Sequence, residues 1–361
     1  MTLSDIAKIR LQNQQIAGTK LKTAKELVGW MGAMQAQDYA MSKWAIGVRL
    51  PDSNHNTIES EINDGKIIRT HILRPTWHLV SADDIYWMLD LSAPRLKGFS
   101  KSWNKSVGLT DSILKKSSAL IEKTLSGGKH LTRDEIVEVL NKNKINTDSL
   151  RNLHLFLNAE LDGIICNGPN KGNKQTYALL KERVPKIKRY SKEESLARLA
   201  KQYFLSHSPA TIKDFTWWCG LAPSDARNAV ELIKSDLIKE TIGEENYYLY
   251  NSFSIPKNDN PSVYLLPAFD EFLISYKDRQ ASLPIKNSLK AVSTNGIFRP
   301  VIVVNGQVTG LWKRTVKKDK VIIETGYFHP HNKSIKNLIE DAVSSFGSFL
   351  NKKTEVYHKA H

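Results

Sequence analysis

Three short stretches written in one grammar constrain this chain more than anything else in it. Thr23-Ala-Lys-Glu26, Thr132-Arg-Asp-Glu135 and Thr211-Ile-Lys-Asp214 each set a threonine three residues ahead of an acid. That pattern marks a helix start, where the hydroxyl accepts from the third amide and the acid reaches back to the threonine amide. Helical patterns precede each one, over roughly 4–16, 112–125 and 191–206. Short β-like stretches follow: 67–73 and 76–80 around Arg74-Pro75, 163–166 and 175–180 around residues 168–174, and 240–242 and 247–249 around Gly243-Glu-Glu-Asn246. The third repeat is the clearest, with Gly220-Leu-Ala-Pro223 as a tight turn before an apolar stripe of Ala226, Ala229, Val230, Ile233 and Leu237. Helix, turn, helix and β-ribbon is the winged-helix plan, met three times; three unrelated helical hairpins are the alternative.

Beyond residue 255 the character changes. Residues 256–261 read as a linker, 263–266 and 298–304 as buried strands, and Asn305-Gly306 as a hairpin turn into 307–314. A turn at 317–320, a strand at 321–325 and an amphipathic helix over 332–350 complete the chain. The expected fold class is therefore α+β: three tandem winged-helix units at 1–81, 82–188 and 189–255, then a β-barrel-like C-terminal domain at 256–361. A chain of 361 residues is long enough for such a division.

Lys and Arg outnumber Asp and Glu by 52 to 37, giving a net charge of +15. The excess favours a polyanion, usually nucleic acid, over an anionic membrane surface; a generally lysine-rich composition is the other reading. Cys166 and Cys219 stand alone, outside any metal-ligand spacing, so packed thiols in a reducing cytoplasm and no metal site are expected. The first residues lack a signal-peptide pattern, and no segment approaches 18 apolar residues, so neither secretion nor membrane spanning is expected.

Met34-Gln35-Ala36-Gln37-Asp38 follows the apolar stripe Leu27, Trp30, Met31 and Met34, which places it at the end of a helix. Two glutamines are polar but do not titrate, so they position a water or a cation better than they move a proton. On a regular helix, residues two apart point about 200° away from each other. The pair can serve one water only if the helix breaks near Ala36. Asp38 is the nearest carboxylate, as a base or as an orienter of Gln37.

Taken in order, Met34–Asp38, Arg74-Pro-Thr-Trp-His-Leu-Val80, His207-Ser-Pro-Ala-Thr211 with Asp214-Phe-Thr-Trp-Trp-Cys-Gly-Leu221, Leu265-Leu-Pro-Ala-Phe-Asp-Glu-Phe272 with Asp278-Arg279, and Phe298-Arg-Pro-Val301 through Gly310-Leu-Trp312 resemble the AlkZ-type (YcaQ-like) DNA glycosylases. The similarity spans nearly the whole chain. It implies tandem winged helices and a C-terminal barrel in a C-shaped arrangement around a basic channel for duplex DNA, and excision of alkylated purines, bulky or crosslinked N7-adducts included. The family's motif is glutamine, an apolar residue, then glutamine or aspartate, matched by Gln35, Ala36 and Gln37. Pro75 departs from the glycine of the family's Arg-Gly-Thr-x-His segment.

The expected catalytic residues are Gln35 and Gln37, supported by Asp38. Expected DNA contacts are Arg69, His71 and Arg74 in the first wing, Lys171 and Lys174 in the second, and Lys313 and Arg314 near the end, with Lys317 and Lys318 beside them. His71 and His78 also read as structural histidines. Trp217-Trp218 offers a base-stacking platform or core packing, and Asp270-Glu271 either electrostatic support or a structural hydrogen-bond network. The expected enzyme is a monomeric, cofactor-free, monofunctional glycosylase on the nucleoid of the cytoplasm. A non-catalytic winged-helix regulator or lesion sensor is the rival, and a protein–protein scaffold a third reading.

Overall fold

The computed structural model describes residues 1–185, 189–251 and 260–359. Of the expected linker at 256–261, residues 256–259 lie outside them. The chain forms two compact units, residues 1–59 with 196–361, and residues 60–195.

The first unit opens with α1 (Leu3–Asn13) and α2 (Ala24–Met31), then β1 (Ala33–Gln35) and α3 (Tyr39–Gly47), before α4 (His55–Asn63) leads on. The second unit carries the antiparallel ribbon β2 (Ile67–His71) and β3 (Trp77–Ser81). Pro75 sits exposed in its turn, where Leu73 takes φ +60° and two tight backbone bonds, Arg74 N–H to Ile72 O and Thr76 N–H to Arg74 O, reverse the chain. There follow α5 (Ile85–Ser106), α6 (Asp111–Leu125), β4 (Leu131–Thr132), α7 (Arg133–Lys142), α8 (Ser149–Leu161), the wing β5 (Ile165–Lys171) and β6 (Lys174–Leu179), and the short α9 (Leu180–Arg183). Strand order β4-β6-β5 beside α6, α7 and α8 is a winged helix, with Ile121, Leu140, Leu155, Phe156 and Leu179 in its core.

The chain returns to the first unit through α10 (Lys192–His207), α11 (Ile212–Cys219) and α12 (Pro223–Leu232), closed by the ribbon β7 (Leu237–Ile242) and β8 (Glu245–Tyr250). Ala210 pairs with Tyr248 beside this ribbon, which completes a second winged-helix sheet. All three expected capping boxes are formed, at Thr23, Thr132 and Thr211.

Among the described residues the expected barrel is not formed. After β9 (Val263–Leu266), α13 (Glu271–Ile274) and α14 (Ser288–Ala291) come β10 (Val301–Val304), β11 (Gln307–Val316), β12 (Lys320–Tyr327), α15 (Lys333–Phe349) and β13 (Lys353–Lys359). They make one open sheet in the order β13-β12-β11-β10-β9. Closure would need the two edge strands to pair, and among the described residues β9 and β13 do not. Instead α15 packs against β9, β12 and β13, and the apolar face is buried by a helix rather than by a second wall of strands. The Asn305-Gly306 turn is as expected: both residues take positive φ, +52° and +83°, and a Cβ on Gly306 would come within 2.9 Å of Ala7. Trp44 and Trp312 both pack on Phe346, at 5.0 and 5.1 Å, and their indole N–H groups donate to the Leu265 and Leu266 carbonyls of β9.

Candidate active site

The backbone of the glutamine motif is set where α2 stops. Gly32 ends that helix with φ +77°, and a Cβ there would sit 3.3 Å from the Trp218 ring. The chain then runs extended through Ala33–Gln35 and enters α3 at Asp38, whose Oδ1 accepts from the Met41 amide at 3.0 Å. The motif is thus not at the end of a helix, as expected from the Leu27–Met34 stripe. The break the chemistry requires is present, but it falls at Gly32, and Met34 fills the core from strand backbone instead. The strand ends at Gln35, and Gln37 lies in a bend just before α3. Gln35 is 6% exposed, whereas Gln37 is exposed.

Gln35 is anchored by a residue 236 positions away. Its backbone N–H donates to Glu271 Oε1 at 2.6 Å. Glu271 Oε2 accepts from the Trp218 indole at 3.2 Å and from the Ser275 hydroxyl, and lies 3.9 Å from His207 Nε2. His207 is fully buried, stacked on Tyr203 at 4.8 Å. Burial pushes its imidazole below the ordinary value, against the opposing pull of the Glu271 carboxylate. Of the two acids left open by the sequence, Asp270 is structural: Arg49 meets it with two bonds of 2.8 Å. The same guanidinium donates to the carbonyls of Gln14 and Ala45 and to Gln14 Oε1. Gln14 in turn donates to the Tyr276 hydroxyl, and that hydroxyl donates to the His207 carbonyl.

Asp38 engages the start of α3 and the strand β11. Besides capping α3, its Oδ2 lies 3.5 Å from Arg314 Nη2. Arg314 shares a face of β11 with buried Trp312, while Lys313 lies exposed on the opposite face. Lys317 and Lys318 are exposed at the turn beyond. Trp218 is core, fully buried; Trp217 is 37% exposed, with its indole N–H on the Ile274 carbonyl and Lys277 and Arg279 over its ring. Among the described residues no group of His, Cys, Asp and Glu could hold a metal ion. Cys166 and Cys219 are buried thiols not joined in a disulfide, and burial pushes Cys166 up to about 12.

In the second unit, Arg69 and His71 share one face of β2 and bracket Trp77, at 4.1 and 4.2 Å from its ring. Both are 7% exposed. Arg69 Nη1 donates to Gln175 Oε1 at 2.9 Å, and His71 Nδ1 bonds the buried Glu160 carboxylate. Arg74 is half-buried in the turn, 3.4 Å from His78 Nε2. His78 Nδ1 lies 2.9 Å from the Thr76 carbonyl, which can only accept, so Nδ1 carries the hydrogen and His78 is satisfied within its own wing. Lys171 and Lys174 face each other across the second wing, both exposed. Lys171 also pairs with Glu135, the capping acid of α7, at 3.1 Å.

The Thr132 amide first, then Lys171, holds the Glu135 carboxyl down at about 2. A carboxyl depressed on folding stabilises fully above its unfolded value, 4.5, and that contribution is lost as pH falls toward 2. Lys171→Ala is expected to raise the Glu135 midpoint toward the ordinary range, read by NMR titration of the side-chain carboxyl. An unmoved midpoint would show that the backbone bond alone sets it.

A family model described as DNA glycosylase AlkZ-like matches residues 28–349. An interstrand DNA cross-link repair glycosylase of Streptomyces sahachiroi is 24% identical over 323 residues, covering 84% of this chain and 85% of that protein. The solved structure of the S. sahachiroi DNA glycosylase AlkZ superposes with a TM-score of 0.81 at 20% identity, over 99% of this chain and 100% of the other. This chain belongs to the AlkZ-like DNA glycosylase family.

Proposed function

We propose that the protein is a monofunctional DNA glycosylase that excises cationic N7-alkylated purines, bulky or crosslinked adducts among them, from duplex DNA. One observation carries the reading: Gln35-Ala36-Gln37 occupies non-helical backbone, with Gln35 held from behind by a buried carboxylate and Gln37 exposed. Family membership supports the reaction class, and the name of the Streptomyces relative supports the larger adducts. The net charge of +15 suits a phosphate backbone.

Alkylation at N7 makes the purine cationic. When the C1′–N9 bond breaks, its electron pair returns to the ring and neutralises it, so the base leaves without an acid to protonate it. Water adds to C1′, its proton passes to solvent, and an abasic sugar remains. The demand on the protein is a held water and dipoles that face the positive sugar, and amide carbonyls meet it without ionising. Asp38 keeps Gln37 at the threshold of α3. The motif contains no lysine or N-terminal amine to form a Schiff base, hence water as nucleophile. The protein acts as a monomer on the nucleoid, and an exposed Gln37 suits lesions too large to be drawn into a tight pocket.

The test is base release from a duplex carrying a single N7-methylguanine, read as strand cleavage after alkaline work-up. Release above the spontaneous rate is expected. Salt-sensitive binding with no release would point instead to a non-catalytic lesion sensor.

A further inference from the structure

We propose that Glu271 is the positioning residue of the active site, the group that fixes Gln35 through its backbone N–H. The inference rests on the glycosylase reading, since it names what holds that reading's catalytic motif in place.

Glu271 is 1% exposed, and its two oxygens meet donors from three residues of the first unit, two of them on other elements. Gln35 N–H comes from the end of β1, the Trp218 indole from α11, and the Ser275 hydroxyl from the end of α13. His207 Nε2, from the end of α10, stands 3.9 Å off. An ionised carboxylate accepts at both oxygens, and bonds to it are shorter and stronger than neutral ones. The contact to the Gln35 N–H is 2.6 Å long.

The chemistry of the donors makes a carboxylate obligatory here. Neither a backbone N–H nor an indole N–H can accept, so both oxygens must. A glutamine at 271 offers one carbonyl oxygen and one NH2. Whichever way it turns, the NH2 points at Gln35 N–H or at Trp218 Nε1–H, and two donors face each other. Only the hydroxyl of Ser275 can rotate to suit. Glu271 therefore discriminates against its own isostere, and the discrimination falls on the backbone of the catalytic motif.

This sets up a rescue. Glu271→Gln is expected to slow single-turnover release of N7-methylguanine by roughly 10- to 100-fold, with DNA affinity within about twofold of wild type. Trp218→Phe removes the opposing indole donor, so the E271Q/W218F double variant lets the amide turn its oxygen to Gln35. Its rate is expected to recover to within about threefold of W218F alone. E271M/W218F has about the same shape with only a weakly accepting thioether and is expected to stay at least about tenfold slower than E271Q/W218F. Amide exchange at Gln35, followed in all variants, should accelerate wherever the rate falls. A merely structural role would lower the melting temperature of each variant without this pattern of rescue.

Equal rates and equal Gln35 exchange in E271Q/W218F and E271M/W218F would overturn the proposal, and that comparison stands even if E271Q alone does not fold. If wild type releases no base, the glycosylase reading fails on its own. The clamp is then judged from Gln35 exchange in the same variants.

Discussion

Gln35→Ala and Gln37→Ala are each expected to slow the release of N7-methylguanine from duplex DNA by about 100-fold or more, the scale of losing one preorganised dipole at a developing charge. DNA affinity should change little, because neither amide is a phosphate contact in this mechanism. The two variants should differ in stability. Gln37 is exposed, so its truncation should cost less, whereas Gln35 is buried and its truncation opens space beside the core. Single-turnover rates across substrates extend the test. Undamaged guanine and uracil, neutral leaving groups, should not be released, because the amides of Gln35 and Gln37 cannot protonate them. Full rates in both alanine variants would remove the glutamines from the mechanism. Efficient excision of uracil would remove the pre-charged substrate on which it depends.

Arg49→Ala is expected to lower the stability of the first unit by about 3–5 kcal/mol, the usual cost of orphaning one partner of a buried ion pair. Both side chains are essentially inaccessible, at 0% and 1%, and two 2.8 Å bonds join them. Removing the guanidinium leaves Asp270 buried and charged, and also strands Gln14 and the Ala45 carbonyl. Pairing Arg49→Met with Asp270→Leu should restore much of the loss, because it removes both charges together. Urea denaturation followed by tryptophan fluorescence measures this, since Trp44, Trp218 and Trp312 all lie in this unit. An unshifted midpoint for the single variant would mean that the pair contributes nothing. Asp270 precedes Glu271 in the chain, so the single variant should slow catalysis too.

Much of the fold was legible because its signals are local. A capping box closes within three residues, and all three expected at Thr23, Thr132 and Thr211 are formed. Asn305-Gly306 makes its turn from its own backbone preference, and the strands at 263–266 and 307–316 follow from runs of apolar residues around it. Signals that depend on distant partners were misread or missed. Strands β10 to β12 were expected to curl into a barrel, but α15 lies across them and β13 adds in parallel to the far edge, a pairing that leaves no local mark. Met34 continued a helical stripe, yet Gly32 had already ended the helix, because its positive φ and the Trp218 ring against it leave no room for a side chain.

The site divides along the same line. The sequence by itself singled out the groups proposed to do the chemistry: two amides separated by one residue, followed by an acid, in a strongly basic chain. Tertiary structure alone decided how they are held. Gln35 meets Glu271 across 236 residues, Asp38 meets Arg314 of β11, and Arg69 and His71 turn out packed around Trp77 and bonded to Gln175 and Glu160. A helix start or a hairpin turn is decided by bonds a few residues long. A buried acceptor finds its donors only after hydrophobic burial has brought distant segments together, and no spacing along the chain encodes that meeting.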